Sequence, residues 1–455
     1  MKSTTIAAIS TAQGEGGIGV IRISGEEAIV IADRVFKALS GKKLCELGGY
    51  RAAFGHIYKN NEMLDECVAT VFRNPKSYTG EDVVELSCHG GMFITREALR
   101  AVLDAGASPA QAGEFTKRAF LNGKLDLTEA EAVIDIIKAK SKNAARAALY
   151  AKEGALWKKI TDIKSTLVNT AAHLSAWADY PEEDIAEVTE DSLKEVFNNA
   201  LTQLNRLLDT YDKGQIVKEG IDTVIAGKPN TGKSTLMNLL AGRNRSIVTD
   251  IPGTTRDIIE ETVLVGDVIL RLSDTAGIRE TGDTVEKIGV DLAKNRLSNC
   301  GLVLAVFDGA KPLDENDIEL INSLSDAEII AIINKSDLKS KLDEKYIESK
   351  INRVVKISAK NGEGFDELEK MISQLAGTDS FNPGEGILAN ERQREAVLNA
   401  KTALENALNA VNFGMTLDAV EVDLENAIES ILELTGERVS DVVVDNVFHN
   451  FCVGK

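Results

Sequence analysis

A chain of 455 residues is long enough for about three domains at roughly 150 residues each, and its 44% hydrophobic content is ample for packed cores. The formal charge of −19 argues against a general nucleic-acid coat, so any RNA contact must be a local basic patch or be shared with a partner. The five cysteines, at 45, 67, 88, 300 and 452, are odd in number and lack metal-ligand spacing, which points to a reducing cytoplasm. The longest apolar run, Leu302 to Phe307, is far below the ~18 residues of a membrane span. The opening stretch, with Ile6 to Ile9 broken by Ser10, Thr11 and Gln13, is too polar and short for a signal peptide.

Residues 1–120 read as an α+β domain. Strands are expected at Ile6 to Ile9 and Gly19 to Ile23, separated by the loop Gln13 to Gly17. Phe54 to Tyr58 and Val68 to Phe72 pair through the turn Asn60-Asn61, and Val83 to Leu86 precedes His89-Gly90-Gly91 and a helix from Met92 to about Leu103. His89 beside two glycines reads either as a ligand or as a hydrogen-bonded structural histidine.

From residue 121 the periodicity becomes that of long helices, first over 121–216 and again over 379–455. Thr128-Glu129-Ala130-Glu131 has capping-box spacing and opens a helix in which Val133, Ile136, Ile137 and Ala144 share a face, with Lys140 inside that stripe. Lys138, Lys142 and Arg146 form a basic row on the opposite face, read as solvated or as a contact for RNA phosphates. Leu156, Ile160, Ile163, Leu167, Ala171 and Leu174 continue the spacing. A capped helix starts at Ser192 and carries Val196, Leu201, Leu204, Leu208 and Tyr211. After residue 378, Ala396, Val397, Ala400, Ala403, Leu404 and Ala407 form one stripe, and Val420, Leu424, Ala427, Ile428 and Ile431 another. A last helix spans about Asp441 to Asn450. The two helical segments are expected to pack together with residues 217–378 inserted between them.

The inserted segment carries the chemistry. Gly227 to Ser234 follows an apolar strand (Thr223 to Ala226) and precedes a helix, the order that a phosphate cradle needs. Backbone N–H groups from Asn230 to Thr235 would face the phosphates, Lys233 would reach the β and γ oxygens, and Ser234 is placed to ligate Mg²⁺. Asp274-Thr275-Ala276-Gly277 ends a second strand, where an aspartate can hold the Mg²⁺ water shell and a glycine N–H can sense the γ-phosphate. Asn334-Lys335-Ser336-Asp337 ends a third. The Asp337 carboxylate can accept from guanine N1–H and the 2-amino group; adenine lacks both donors, and at ~1.5 to 3 kcal/mol per charge-assisted bond this excludes ATP. Ser358-Ala359-Lys360 follows a fourth strand and would close over the base. Four motifs in this order, each at the carboxyl end of a strand, define a GTP-binding domain.

These motifs, with Gly16 to Arg22, Tyr78-Thr79-Gly80-Glu81-Asp82, His89-Gly90-Gly91, Gly113-Glu114-Phe115, Arg118 to Asn122, Gly253-Thr254-Thr255-Arg256-Asp257 and the terminal Cys-x-Gly-Lys, resemble those of the MnmE (TrmE) family of tRNA modification GTPases over the whole chain. The resemblance implies a multidomain α+β and α/β protein. It comprises an N-terminal α+β folate-binding and dimerisation domain (1–120), a discontinuous all-α domain (121–216 and 379–455) and an inserted Ras-like P-loop GTPase domain (217–378). It implies a cytoplasmic homodimer binding a 5-formyl-tetrahydrofolate-type donor through Arg22, Glu85, Lys124 and Lys455. It also implies an FAD-dependent partner, MnmG, in a heterotetramer or larger complex that modifies C5 of the wobble uridine of certain tRNAs. The place of the water-orienting glutamine of Ras-like enzymes is taken here by Ile278, which can neither donate nor accept. The family's catalytic glutamate matches Glu286. Its K⁺ is held by Asn230 and by oxygens of Thr249, Ile251 and Thr254, while Thr255 joins Ser234 on Mg²⁺. Asp250 and Gly253 belong to the same nucleotide-facing loop. Pro252, at its centre, departs from the small residue of many relatives and, lacking an N–H, stiffens the loop or alters its closure. Cys452 is readable as a nucleophile or as site lining. The rival reading is a ribosome-assembly or other regulatory RNA-binding GTPase that catalyses no modification.

Overall fold

The computed structural model describes residues 4–179, 188–243, 260–273, 301–324, 328–378, 381–449 and 451–454. The chain divides into two compact units, Met1–Ile134 with Ile160–Val188 and Asn409–Lys455, and Asp135–Lys159 with Thr189–Leu408.

The first unit is built on a seven-stranded sheet. Its strands are β1 (Ile6–Ile9), β2 (Gly16–Ser24), β3 (Phe36–Ala38), β4 (Arg51–Lys59), β5 (Glu62–Phe72), β6 (Val83–Gly90) and β7 (Ser108–Pro109), in the order β3-β4-β5-β6-β2-β1-β7. Only the β1–β7 pair is parallel. Side chains alternate across the sheet: Ile21, Ile23, Val84, Leu86, Ala69 and Val71 enter a core shared with Ala98, Ala101 and Val102 of the helix Met92–Asp104, while Arg22 and Glu85 face the other way. The expected hairpin is present, and Asn60 and Asn61 (φ 51° and 66°) make the left-handed two-residue turn that suits strand twist. Its strands run longer than alternation suggested. The glycine loop is shorter than expected, because Gly16 and Gly17 already belong to β2, with a register shift between Gly16 and Ile18.

Three helix expectations need correction. The reciprocal cap at the helix Leu127–Lys138 is made by Asp126 and Glu129, each carboxylate accepting the other's backbone N–H (2.8 and 3.0 Å), rather than by Thr128 and Glu131. That helix ends at Lys138. Ser141 caps a new one, Lys142–Lys152, by accepting from Ala144 N–H at 3.1 Å. Ala144 therefore does not continue the Val133 stripe, Lys140 lies in neither helix, and the row Lys138, Lys142 and Arg146 is split between two helices. The helix read from Ser192 begins at Glu190 under a Thr189 cap; its buried face is Leu193, Phe197, Ala200, Leu201, Leu204 and Leu207, with Val196 and Leu208 at its margin and Tyr211 opening the next helix. The remaining stripes lie on the helices Ala155–Asp179, Glu391–Asn412, Leu417–Thr435 and Asp441–His449. Among the described residues no helix is long and apolar enough to cross a membrane.

The second unit contains a six-stranded sheet of β8 (Ile221–Ala226), β9 (Glu260–Val265), β10 (Val268–Ser273), β11 (Leu302–Asp308), β12 (Ile329–Asn334) and β13 (Val354–Lys356), ordered β13-β12-β11-β8-β10-β9. All its pairs are parallel except β9–β10. The run Leu302 to Phe307 is continuous in apolar residues because β11 is covered on both faces: Leu302, Leu304 and Val306 enter one core, Val303, Ala305 and Phe307 the other. From β8 the chain crosses to β10 on one side and later returns to β11 on the other. The loop after β8 thus sits at the topological switch point, where open α/β sheets bind ligands.

Candidate functional site

The loop after β8 is shaped by main-chain crowding. Gly227 (φ +151°) has room for no side chain, since a Cβ would lie 2.4 Å from the Val306 carbonyl oxygen. Gly232 (φ +99°) would place one 2.2 Å from Asn334 Nδ2. Asn230 between them is itself left-handed at φ +65°. Lys233 opens the helix Lys233–Arg243, and its ammonium folds back on the carbonyls of Gly227 (2.6 Å) and Lys228 (2.7 Å). Burial lowers its pKa, since a charged amine is disfavoured away from water. Ser234 and Thr235 are exposed in the first helical turn. The loop is clamped from behind by Lys228, which lies 2.6 Å from both Asp314 and Asp317; these two acids also form the capping box of the helix Glu315–Ser323.

The end of β12 is fastened to that loop. Buried Asn334 donates to the Thr231 carbonyl (2.8 Å) and accepts from Ala359 N–H (3.0 Å), so it joins the phosphate loop to the Ser358-Ala359-Lys360 turn. Ser358 Oγ donates to Asp337 at 2.7 Å and orients its carboxylate. Lys360 is exposed. Lys335, left-handed at φ +66°, donates to the Asn230 carbonyl (2.9 Å) and pairs with Asp308 (2.6 Å). Asp308, at the end of β11, was not among the residues expected from sequence; a lone acid directly after a doubly buried strand is the signal that could have found it. The structure therefore brings Asn230, Thr231, Gly232, Lys233, Ser234, Thr235, Asn334, Lys335, Asp337, Ser358, Ala359 and Lys360 to the carboxyl ends of β8, β12 and β13. Thr249, Asp250, Ile251, Pro252, Gly253, Thr254, Thr255, Asp274, Thr275, Ala276, Gly277 and Glu286 lie outside the described residues. Of the residues expected to hold metals, only Asn230 and Ser234 are described.

In the first unit, Arg22 and Glu85 stand opposite each other on β2 and β6, with Arg22 Nε 2.9 Å and Nη2 2.8 Å from Glu85 Oε1. So paired, they address the same end of any ligand rather than its two ends. The guanidinium also lies over the rings of Tyr78 (5.4 Å) and Phe115 (5.6 Å), a stack that fixes its plane. Tyr78 bonds Thr116 at 2.8 Å, and its burial raises the phenol pKa. The C-terminal residues reach the same place. Gly454 offers its carbonyl to Ser10 Oγ (3.0 Å) and Arg22 Nη1 (3.4 Å), Val453 bridges Ala112, and Cys452 O accepts from Gly113 N–H. Gly454 needs its φ of +99°, and a Cβ there would meet Ile9 O at 2.3 Å. Lys124 bonds the Pro75 carbonyl at 3.1 Å, and Lys455 lies outside the described residues. Cys452 is exposed with a free thiol, whereas burial pushes the Cys67 and Cys88 thiols up to about 12 and about 11, which makes them poor nucleophiles. His89 is hydrogen-bonded, as one of its two readings expects, with Asp65 accepting its backbone N–H (2.7 Å) and meeting its Nδ1 (2.6 Å).

A mostly parallel sheet with a glycine cradle at its switch point and Asn-Lys-x-Asp at the end of β12 defines a P-loop nucleotide-binding protein. Two family descriptions match: "GTP-binding protein TrmE N-terminus" over residues 5–124 and "MnmE helical domain" over residues 127–452. The chain is 44% identical over 456 residues to the tRNA modification GTPase MnmE of Clostridioides difficile and 45% over 457 residues to that of Geobacillus kaustophilus, with 99% of each chain covered. The chain belongs to the MnmE family. A solved structure of Era from Aquifex aeolicus, bound to GDP and AlF4⁻, overlaps 40% of this chain and 66% of its own at 28% identity with a TM-score of 0.28, which adds nothing to the assignment.

Proposed function

We propose that this protein is a GTP-hydrolysing tRNA modification enzyme. With an FAD-dependent partner of the MnmG kind, it would add an aminomethyl or carboxymethylaminomethyl group to C5 of the wobble uridine, using a folate one-carbon donor. The single observation that carries the reading is the near full-length match to relatives named tRNA modification GTPase MnmE, on a chain whose loop 227–234 is already drawn into a phosphate cradle. The proposal keeps the four segments 1–120, 121–216, 217–378 and 379–455 as functional divisions, and a homodimer joined through the first.

The residues fit the groups assigned to them. Two positions of the loop exclude any Cβ, which lets its main chain come close to phosphate oxygens, and Lys233 is within its span. Ser234 would ligate Mg²⁺ and Asn230 would contribute to K⁺; the two cations would neutralise charge growing on the transferred phosphoryl group. Asp337, held by Ser358, would select guanine. Glu286 would orient the attacking water. Arg22, stacked on Tyr78 and Phe115, and Glu85, paired with it, would together meet one end of the folate, with Lys124 and Lys455 as further cations for its carboxylates.

Mass analysis of tRNA nucleosides from cells lacking this gene tests the reading: loss of the C5-modified wobble uridine supports it, and unaltered wobble uridines would favour the regulatory GTPase. Hydrolysis with K⁺ is expected to exceed that with Na⁺ greatly; equal rates would remove the potassium mechanism while leaving the modification reading intact.

A further inference from the structure

The phosphate loop is fastened by a carboxylate that no nucleotide atom needs to touch. Asp308 closes β11, and its side chain is almost fully buried. One oxygen pairs with Lys335 at 2.6 Å, and the other accepts from Ala310 N–H at 3.0 Å, so the group is held on both sides. Lys335 then reaches the Asn230 carbonyl at 2.9 Å, and both Lys335 and Asn230 hold left-handed backbone conformations that non-glycine residues seldom adopt unsupported. The contacts form one line from the end of β11, through the turn that would read the base, to the loop that would hold the phosphates. Burial alone would raise the Asp308 pKa; the Lys335 hydrogen bond and the Ala310 N–H outweigh it and hold the carboxyl below its ordinary value. The Lys335 side chain is about one-third exposed, so without the carboxylate its ammonium is free to turn to water.

We propose that Asp308 is a positioning residue for nucleotide retention, acting through Lys335 to lock the base-reading turn against the phosphate loop. The proposal rests on reading this site as a guanine-nucleotide site. It assigns Asp308 no contact with the nucleotide.

The test is the release rate of a fluorescent N-methylanthraniloyl-GDP from the full chain after a chase with unlabelled GDP. Asp308→Asn keeps the shape and an acceptor for Ala310 N–H but removes the charge facing Lys335. Release is expected to quicken roughly tenfold, the scale of one charge-assisted hydrogen bond. Lys335→Met should quicken release at least as much, and adding Asp308→Asn to it should cause no further change, because both remove the same linkage. Unchanged release in Asp308→Asn, or additive acceleration in the double variant, would overturn the proposal. Should the single Asp308→Asn chain fail to fold, the comparison of Lys335→Met with the double variant still decides: equal rates support the proposal and a further acceleration overturns it. Failure of the wild-type chain to bind the probe would overturn the nucleotide reading itself, and this proposal with it.

Discussion

The loop at 227–234 and the side-chain cluster around Arg22 are shaped by opposite means. In the loop, shape comes from the backbone: Gly227 and Gly232 exclude any side chain, Asn230 is left-handed, and Lys233, Lys335 and Asn334 all bond to loop carbonyls. Around Arg22, shape comes from side chains on an ordinary pleated strand: an ion pair to Glu85 and two aromatic rings set the guanidinium. The loop should therefore respond most to changes in the main chain, and the Arg22 cluster to loss of a functional group.

The largest effect is expected at Gly232→Ala. A methyl group 2.2 Å from Asn334 Nδ2, at a φ of +99°, must displace the residue that ties the loop to Ala359. Strain of ~1–3 kcal/mol together with that displacement should weaken GDP binding on the order of a hundredfold, read by fluorescence titration. Unimpaired binding would show that the loop tolerates a side chain and is not set by crowding. Arg22→Gln should come next, lowering affinity for 5-formyl-tetrahydrofolate by about tenfold or more in calorimetry, while GDP affinity stays as in the wild type. A parallel loss of both affinities would mean that the two regions do not work separately. Gly454→Ala, which drives a Cβ into Ile9 O, should weaken folate binding severalfold by lifting the tail from Ser10 and Arg22, with the Arg22–Glu85 pair left in place.

The smallest effect concerns His89. Its hydrogen bond to Asp65 raises its pKa above 6.5, so protonation favours the folded state. That contribution is fully present below the unfolded value and is lost as pH rises through the folded one. The imidazole should titrate above 6.5 by NMR, and Asp65→Asn should bring the midpoint down; an unmoved midpoint would remove Asp65 as the cause.

Much of the nucleotide site is legible in sequence because its signals are local. Each motif follows a strand marked by its own apolar run, and β11, covered on both faces, is continuous where a half-exposed strand would alternate. What escapes the sequence depends on pairing at a distance. Arg22 meets Glu85 because β6 lies beside β2 although three strands intervene in the chain, so their ion pair cannot be read from spacing. Asp308 acquires its partner only when β12 is laid next to β11. The helix break before Lys142 was missed for another reason: apolar and small residues kept their spacing across it, and the Ser141 cap was hidden in a run that looked continuous.

Ser10 and Gly454, separated by 444 positions, share a hydrogen bond. During synthesis, the wall beside Arg22 stays open until Gly454 has emerged, so a product stopped ahead of it has the first strand but not the carbonyl that meets Ser10 and Arg22. This corner is therefore closed by two stretches from opposite regions of the sequence.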